Sequence, residues 1–365
     1  MINMDMERRS SLEELMKSMA EASVYVGLFP EEAARMGRKS IFTNSPEPIA
    51  IPHAWEYGKV REFLYRISGF LSPKESERRV IHLVNPGLRE TKPLDTIAVT
   101  PTMTCGFQLI KAGESAPSHR HTPVNLRLIL EAPESGAYII YDGFKVEVKV
   151  GDVLVQSNWA LHEHHNEGPS DLIWLSGLDS PLLYYLGGVF YSREKWEGSS
   201  TIAGEVLEET YGNSLKPISM KAYSWNPLIR YPYHRVIRAL ERLDSSRGPD
   251  PHEGVAVELT NPRDGGPALP TISMRMRMIP GKAELRPVRR VENAVLVPVE
   301  GSITVEVSDS PAGNFLFKLS KYDPAVIPSW SKFRVANRGE TPAILFEYSD
   351  RPVFQALGLF REELS

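Results

Sequence analysis

The sequence predicts a mainly β protein with two barrels, preceded by a helical region. Short strands separated by Gly, Pro and Asp run from about residue 96 to 186, and a second block of the same layout runs from about 256 to 348. Frequent turn signals between short strands are typical of sandwiches and barrels. Before residue 90, apolar residues recur mostly at helical spacing, and the chain's 365 residues are enough for two domains.

The pattern divides the chain into four parts. Residues 1–90 form an N-terminal helical region with a first strand, 91–190 the first barrel, 191–255 a linker and 256–365 the second barrel. We expect the first helix to be capped at Ser10 or Ser11 and the linker to contain one helix, at 234–243.

The composition excludes several classes of partner. A net charge of −4 with both signs interspersed provides no basic surface for nucleic acid. The sequence contains neither a run of eighteen apolar residues nor an apolar signal-peptide core, so we expect no membrane span and a cytoplasmic protein. The single cysteine, Cys105, agrees with a reducing compartment, and we expect it to be a small buried residue.

Histidines in the first barrel predict a metal site. His119 and His121 are two residues apart, so in a strand both imidazoles project from one face. The third candidate, His162, follows an Asp142-Gly143 dipeptide between alternating runs, a strong signal for a hairpin that would return beside the first strand. Five of the nine histidines lie between 119 and 165. The spacing leaves His164 open as an alternative third ligand.

The second barrel repeats the first without these ligands. Aligning VQSNWALHEH with VIPSWSKFRV places Phe333 at the position of His162. Setting the tripeptide Val288-Arg289-Arg290 beside His119-Arg120-His121 removes the other two ligands. We therefore predict an internal duplication in which one copy lost its metal site.

Several segments resemble one family. GESAPSHRHTPVNLRLILE, GDVLVQSNWALHEHHNEG and IWLSGLDSPL, with ERRVIHLVNPGL and NPLIRYPYHR outside the core, are similar to the bicupin ring-cleaving dioxygenases. These are gentisate 1,2-dioxygenase and its relatives acting on salicylate and 1-hydroxy-2-naphthoate. The likeness runs from about Trp55 to the C-terminus. It implies two cupin (double-stranded β-helix) barrels, a homotetramer, and Fe(II) held by His119, His121 and His162.

The resemblance also implies the reaction. Fe(II) and O2 open the ring of a hydroxylated aromatic carboxylic acid between its carboxyl-bearing and hydroxyl-bearing carbons, and gentisate is the substrate we expect first. Many cupins add a glutamate after the second histidine, but here the stretch is Thr122-Pro123-Val124-Asn125. Three neutral imidazoles leave the site at +2, which a substrate carboxylate and phenolate neutralise. Imidazole suits iron, but manganese stays open because three imidazoles accept several divalent ions.

Other site residues are implied by the same resemblance. Arg127 stands where the family pairs an arginine with the substrate carboxylate, and at six residues beyond His121 it has the parity to share the ligands' face. The alternative is a surface ion pair. Arg79 is a second substrate-binding candidate, and His164 could donate a proton or hydrogen bond to oxygen. Gln108, Thr104 and Ser176 are expected in the pocket. Thr104 stands where several members have a tryptophan, and Ser176 stands where they have an acidic residue.

Two other functions remain open at this point. Cupins also include metal-dependent isomerases and decarboxylases, because fold alone does not decide chemistry. A non-enzymatic bicupin that binds a small ligand is the third possibility, and the intact histidines of the first barrel argue against it.

Overall fold

The computed structural model describes residues 2–38, 40, 42–76, 79–195, 201–218 and 225–365. They belong to two compact units, residues 1–47 and 48–365. The α-helices of the described chain are α1 Ile2–Glu21, α2 Pro30–Arg35, α3 Tyr57–Ile67, α4 Ser180–Tyr185, α5 Glu205–Thr210, α6 Tyr233–Arg247 and α7 Arg351–Ala356. None of them is long and apolar enough to cross a membrane.

The expected cap of the first helix is wrong. Helix α1 begins at Ile2 and passes through Ser10 and Ser11 without interruption. Serine caps a helix only where the preceding backbone leaves the helical conformation, and INMDMERR before it contains no Gly or Pro to end a helix. The helix predicted in the linker is present as α6, somewhat longer than expected.

The first half of the unit 48–365 contributes thirteen short strands. They are β1 His53–Ala54, β2 Ile81–His82, β3 Gly106–Ile110, β4 Ser115–His121, β5 Asn125–Glu131, β6 Ala137–Tyr141, β7 Phe144–Glu147, β8 Val153–Gln156, β9 His162–Asn166, β10 Leu172–Leu178, β11 Tyr191–Ser192, β12 Ile202–Ala203 and β13 Arg230–Tyr231. Ten more follow: β14 Val255–Glu258, β15 Ser273–Ile279, β16 Val288–Arg290, β17 Ala294–Glu300, β18 Ile303–Ser310, β19 Gly313–Leu319, β20 Ala325–Ile327, β21 Lys332–Ala336, β22 Ala343–Ser349 and β23 Glu362–Leu364.

Two six-stranded sheets form the first barrel, in the orders β13-β8-β5-β10-β3-β2 and β11-β4-β9-β6-β7-β12. The predicted hairpin is confirmed: β6 and β7 are joined by Asp142 and Gly143, both with positive φ, and Tyr141 pairs with Phe144. The segment predicted as a linker adds β11, β12 and β13 to these sheets. Such two-residue pairings cannot be detected as periodicity.

The second barrel consists of the sheets β1-β20-β17-β22-β15-β14 and β19-β18-β21-β16-β23. Its first sheet ends in β1, which lies far earlier in the chain and pairs through His53 with Val326. The prediction of a mainly β protein with two barrels and an N-terminal helical region is confirmed.

Three large apolar cores organise this unit, beside a small cluster of Leu88, Leu94 and Ala98. The largest lies between the barrels, where the outer face of one sheet from each barrel packs against the other, with Leu126 and Val155 on one side and Met276 and Phe346 on the other. Each barrel also has its own interior core. Cys105 belongs to the inter-barrel core as expected, and burial raises the pKa of its thiol to about 12.

Two aspartates tie the halves together in a reciprocal arrangement. Asp179, after β10, accepts hydrogen bonds from the N–H of Val124 at 2.9 Å and from the hydroxyl of Thr271 in the second half at 2.7 Å. Asp350, after β22, accepts from the N–H of Asn293 at 2.7 Å and from the hydroxyl of Thr102 in the first half. Burial raises the pKa of both carboxyls to about 6.

These two carboxyls predict a pH dependence of stability. Because the folded pKa of Asp179 is about 6 and the ordinary value is 3.8, the native state keeps a proton that the unfolded state has lost between these pH values. The free energy of unfolding therefore falls as pH rises through this window. Asp179→Asn keeps an acceptor for the N–H of Val124 but cannot titrate. Relative to wild type, its free energy of unfolding should therefore rise by roughly 2–3 kcal/mol between pH 4 and pH 7. Urea unfolding at several pH values measures the difference, and parallel profiles would contradict it.

Candidate metal centre

Strands β4 and β9 bring three histidines together inside the first barrel. The two strands are antiparallel and pair His119 directly with His162, while His121 follows at the end of β4. The ring centroids of His119 and His162 are 4.3 Å apart, and that of His121 lies 5.6 Å and 5.2 Å from them. One ring nitrogen from each of the three buried side chains lies within 4.8 Å of the others. The arrangement therefore offers three nitrogen ligands to one ion.

Backbone carbonyls fix the tautomer of all three rings. Nδ1 of His119 lies 3.2 Å from the carbonyl oxygen of Pro117, Nδ1 of His121 2.8 Å from that of Pro123, and Nδ1 of His162 3.1 Å from that of Ala160. Because a carbonyl oxygen only accepts, each Nδ1 must carry the proton. Each Nε2 then presents its lone pair, and such outer hydrogen bonds are the usual way in which a protein orients metal-ligating histidines.

His164 is not part of this cluster. Among the described residues, one group of side chains is placed to hold a metal ion, and it consists of His119, His121 and His162. The ring of His164 stacks on Trp174, with centroids 4.9 Å apart, and its centroid is 5.7 Å from that of His162. It lies beside the metal position rather than at it.

Arg127 reaches the centre by a different route from the predicted one. The chain turns at Thr122-Pro123, so Arg127 lies on β5, in the sheet opposite His121, and the argument from parity along a single strand is wrong. Its side chain is 1% exposed, which excludes the surface ion pair. Nη2 of Arg127 donates to Oε1 of Gln156 at 2.6 Å, and Nε2 of Gln156 lies 3.2 Å from Nε2 of His121.

Three of the predicted pocket residues lie together. Thr104, Gln108 and Ser176 line a cavity of about 190 Å³ with His82 and Asn125. Ser176 Oγ lies 2.9 Å from Oδ1 of Asn125 and 3.3 Å from Oε1 of Gln108. Thr104 uses its hydroxyl to accept from the N–H of Leu178 at 3.0 Å. Ser176 is also the cross-strand neighbour of Arg127, so the two residues lie side by side in one sheet.

Arg79 is not brought to the site. Its Nη1 and Nη2 contact the carboxylate of Glu114 at 2.5 Å and 2.6 Å, and Nε donates to the carbonyl of Leu71 at 2.7 Å. This bidentate ion pair uses the geometry that a substrate carboxylate would need. A second cavity, of about 370 Å³, is bordered by His119, Tyr191 and Arg193, and Arg79 lines neither cavity.

Two residues of the centre were missed in the sequence, Gln156 and Asn125. They are cross-strand partners on β8 and β5 and are fully buried. The available signal was polarity at the ends of otherwise apolar strands, VLVQ and NLRLIL. Such residues are also typical of strand ends exposed to water, so the signal does not decide between the two.

The second barrel keeps the backbone of the site with other side chains. Val288 pairs with Phe333 as His119 pairs with His162. The N–H of Trp330 donates to the carbonyl of Arg290, as that of Trp159 does to His121, and both tryptophans have positive φ. The predicted register of the duplication is therefore confirmed. Arg290 is ion-paired with Glu253 and Glu362 and cannot bind a cation.

Two barrels in one chain, with three converging histidines in the first, define a bicupin metalloprotein. The chain is 32% identical over 325 residues to gentisate 1,2-dioxygenase 1 of Aquipseudomonas alcaligenes, covering 88% of this chain and 89% of that protein. It is 32% identical over 322 residues to 1-hydroxy-2-naphthoate 1,2-dioxygenase of a Nocardioides species, covering 87% and 80%. No family model matches the chain.

A solved structure of the salicylate 1,2-dioxygenase from Pseudaminobacter salicylatoxidans superposes with a TM-score of 0.83 and 26% identity, over 97% of each chain. The chain belongs to the gentisate 1,2-dioxygenase family of bicupin ring-cleaving dioxygenases. It is therefore an oxidoreductase, which sets aside the isomerase, decarboxylase and non-enzymatic alternatives. The family and the three histidines together imply a metal cofactor.

Loss of one imidazole should abolish metal retention. His119→Ala leaves two nitrogen ligands on a site that provides no carboxylate, so protein purified after loading with Fe(II) should contain almost no metal by elemental analysis. His165→Ala is the matched control, because that ring stacks on Tyr138 at 4.8 Å, outside the cluster. Equal metal content in the two variants would contradict the assignment.

Proposed function

We propose that the first barrel holds Fe(II) through His119, His121 and His162 and uses O2 to open the ring of gentisate (2,5-dihydroxybenzoate) between the carboxyl-bearing and hydroxyl-bearing carbons. The observation that carries the proposal is the buried guanidinium of Arg127, one amide away from a ligand of the three-histidine cluster. Gentisate is favoured because two relatives named as gentisate 1,2-dioxygenases match most of the chain. A substitution variant of the salicylate dioxygenase bound to gentisate also superposes with a TM-score of 0.83 at 26% identity.

The charge of the site fits such a substrate. Three neutral imidazoles leave the cation at +2, and among the described residues no carboxylate joins the candidate ligands. A substrate carboxylate and phenolate would supply the two negative charges that neutralise this +2 site. Bound Fe(II) supplies the electron exchange that lets dioxygen react with the ring, and imidazole ligands suit iron.

The protein's own residues position the substrate. Arg127 donates two parallel hydrogen bonds to the substrate carboxylate, a geometry that the planar guanidinium favours. His164, held flat against Trp174, donates a hydrogen bond or proton to oxygen. Thr104, Gln108 and Ser176 line the pocket beside the ring and tune the choice of aromatic acid.

Assembly and location complete the proposal. We propose a homotetramer in the cytoplasm. The large apolar side chains that the described residues expose include a group beside the metal centre, formed by Tyr184, Tyr185, Leu186, Val189, Phe190 and Tyr191. Large apolar side chains exposed so close together in the sequence are typical of an interaction site, and subunit contacts would cover them. Sedimentation velocity measures the assembly.

Oxygen uptake tests the reaction directly. Fe(II)-loaded protein should consume O2 with gentisate, with absorbance following the ring-opened product, and salicylate and 1-hydroxy-2-naphthoate serve as comparison substrates. An anaerobic reaction should yield no product. Turnover that continues without O2 would contradict the proposal.

Replacing Arg127 should separate substrate binding from metal binding. Arg127→Met should retain iron and raise the KM for gentisate by roughly ten- to a hundredfold, because a charge-assisted bidentate contact is lost. Inhibition by hydroquinone, which lacks the carboxylate, should be unchanged. Arg61→Met is the matched control, since Arg61 pairs with Glu131 at the far end of the same strand. An unaltered KM in Arg127→Met would show that the assigned role is wrong.

A further inference from the structure

Gln156 lies between the two parts of the centre. Its oxygen accepts from Nη2 of Arg127 at 2.6 Å, and its amide nitrogen lies 3.2 Å from Nε2 of His121. His121 continues the chain through Nδ1, which is 2.8 Å from the carbonyl oxygen of Pro123. Three hydrogen bonds thus run in series from a guanidinium to a backbone carbonyl.

The direction of this series is fixed at both ends. Arginine only donates, so the oxygen of Gln156 must face Arg127 and its NH2 group must face His121. The Pro123 carbonyl only accepts, so Nδ1 of His121 carries the proton and Nε2 accepts from the amide. The Gln156 side chain is fully buried, and turning the amide over would bring NH2 against the guanidinium.

The same lone pair has two uses. His121 can offer Nε2 to a cation or to the amide N–H of Gln156, but not to both. We propose that Gln156 competes with the metal for His121, and that when metal and substrate are both bound its N–H donates to an anionic oxygen of the substrate. Gln156 is then a positioning residue that links metal binding to substrate binding.

The second barrel supports this assignment. Its strand register places Ile327 at the position of Gln156 and Leu296 at that of Arg127, while Arg290 stands at that of His121. The amide of Gln156 is present in the first barrel, which has both Arg127 and His121. The second barrel has neither partner, and there the apolar Ile327 replaces the amide. A role in packing alone would not require this difference.

Part of the inference rests on the proposed function, since it takes a carboxylate or phenolate oxygen of gentisate as the acceptor. The competition for His121 does not. An amide N–H beside a cation is unfavourable until an anionic oxygen accepts from it. Gln156 should therefore weaken metal binding when the substrate is absent and strengthen it when the substrate is present. By the same coupling, bound metal should strengthen substrate binding.

The test is an anaerobic Fe(II) titration of metal-free protein against a competing chelator, with and without gentisate. Gln156→Met removes both hydrogen bonds at nearly constant volume, and without gentisate it should bind Fe(II) about three- to tenfold more tightly than wild type. Gentisate should tighten Fe(II) binding less in this variant than in wild type. Gln355→Met is the matched control, because Gln355 is exposed on α7, outside the first barrel, and its Fe(II) affinity should equal that of wild type with and without gentisate.

Equal or weaker Fe(II) binding by Gln156→Met, with a Tm close to that of wild type, would overturn the inference. Gln156→Glu is the second variant, since it keeps an acceptor for Arg127 and removes the donor to His121. It should also bind Fe(II) more tightly and should lose the effect of gentisate, and Fe(II) affinity equal to wild type would overturn the inference as well. If gentisate leaves Fe(II) affinity unchanged in wild type and is not turned over, the proposed substrate is wrong, while the metal-only comparison still decides the role of Gln156.

Discussion

The antiparallel pairing of β4 with β9 is the constraint on which the metal centre depends. It places His119 opposite His162, and the end of the same strand supplies His121. The pairing alone does not make a metal site, because the second barrel has the same pairing between Val288 and Phe333. What the first barrel adds is a set of imidazoles whose Nδ1 protons are held by nearby carbonyls, so that the lone pairs point inward.

The second barrel shows how the same backbone accommodates a polar interior without the three histidines. Glu347 is fully buried and ion-paired with Arg277 at 2.7 Å and Arg275 at 3.3 Å. These cations lower the pKa of the Glu347 carboxyl although burial raises it. Burying a charge is costly unless it is paired and hydrogen bonded, and breaking such a pair costs more than the pair contributes. The second barrel therefore fills its interior with buried ion pairs where the first barrel has histidines.

Local sequence features predicted a large part of the molecule. Strand alternation, the Asp142-Gly143 turn and the repeated VQSNWALHEH and VIPSWSKFRV segments were sufficient for the barrels, the hairpin and the register of the duplication, because each is encoded within a few residues. The strands contributed by the linker and by β1 were not predictable, since two residues carry no period. Arg127 was expected near the histidines, but on the wrong strand, because parity along a sequence cannot show where a chain turns into the opposite sheet. The ion pair of Arg79 was not predictable for a related reason: its partner Glu114 is distant in sequence, and nothing local indicates the pair.

The two sheets of the first barrel pack against different neighbours, and each sheet carries a different part of the site. The histidines lie on β4 and β9, whereas Arg127, Gln156 and Ser176 lie on the opposite sheet. The outer face of that opposite sheet forms the inter-barrel core, with Leu126, Leu128 and Val155 packed against the second barrel. Close-packed interiors resist small displacements, so the second barrel holds the sheet that carries Arg127 and Gln156 in place from behind. The hydrogen bonds from Arg127 through Gln156 to His121 cross from this braced sheet to the sheet that binds metal. A duplicated barrel in which Val288 and Phe333 replace two of the histidines thereby still contributes to the geometry of the centre.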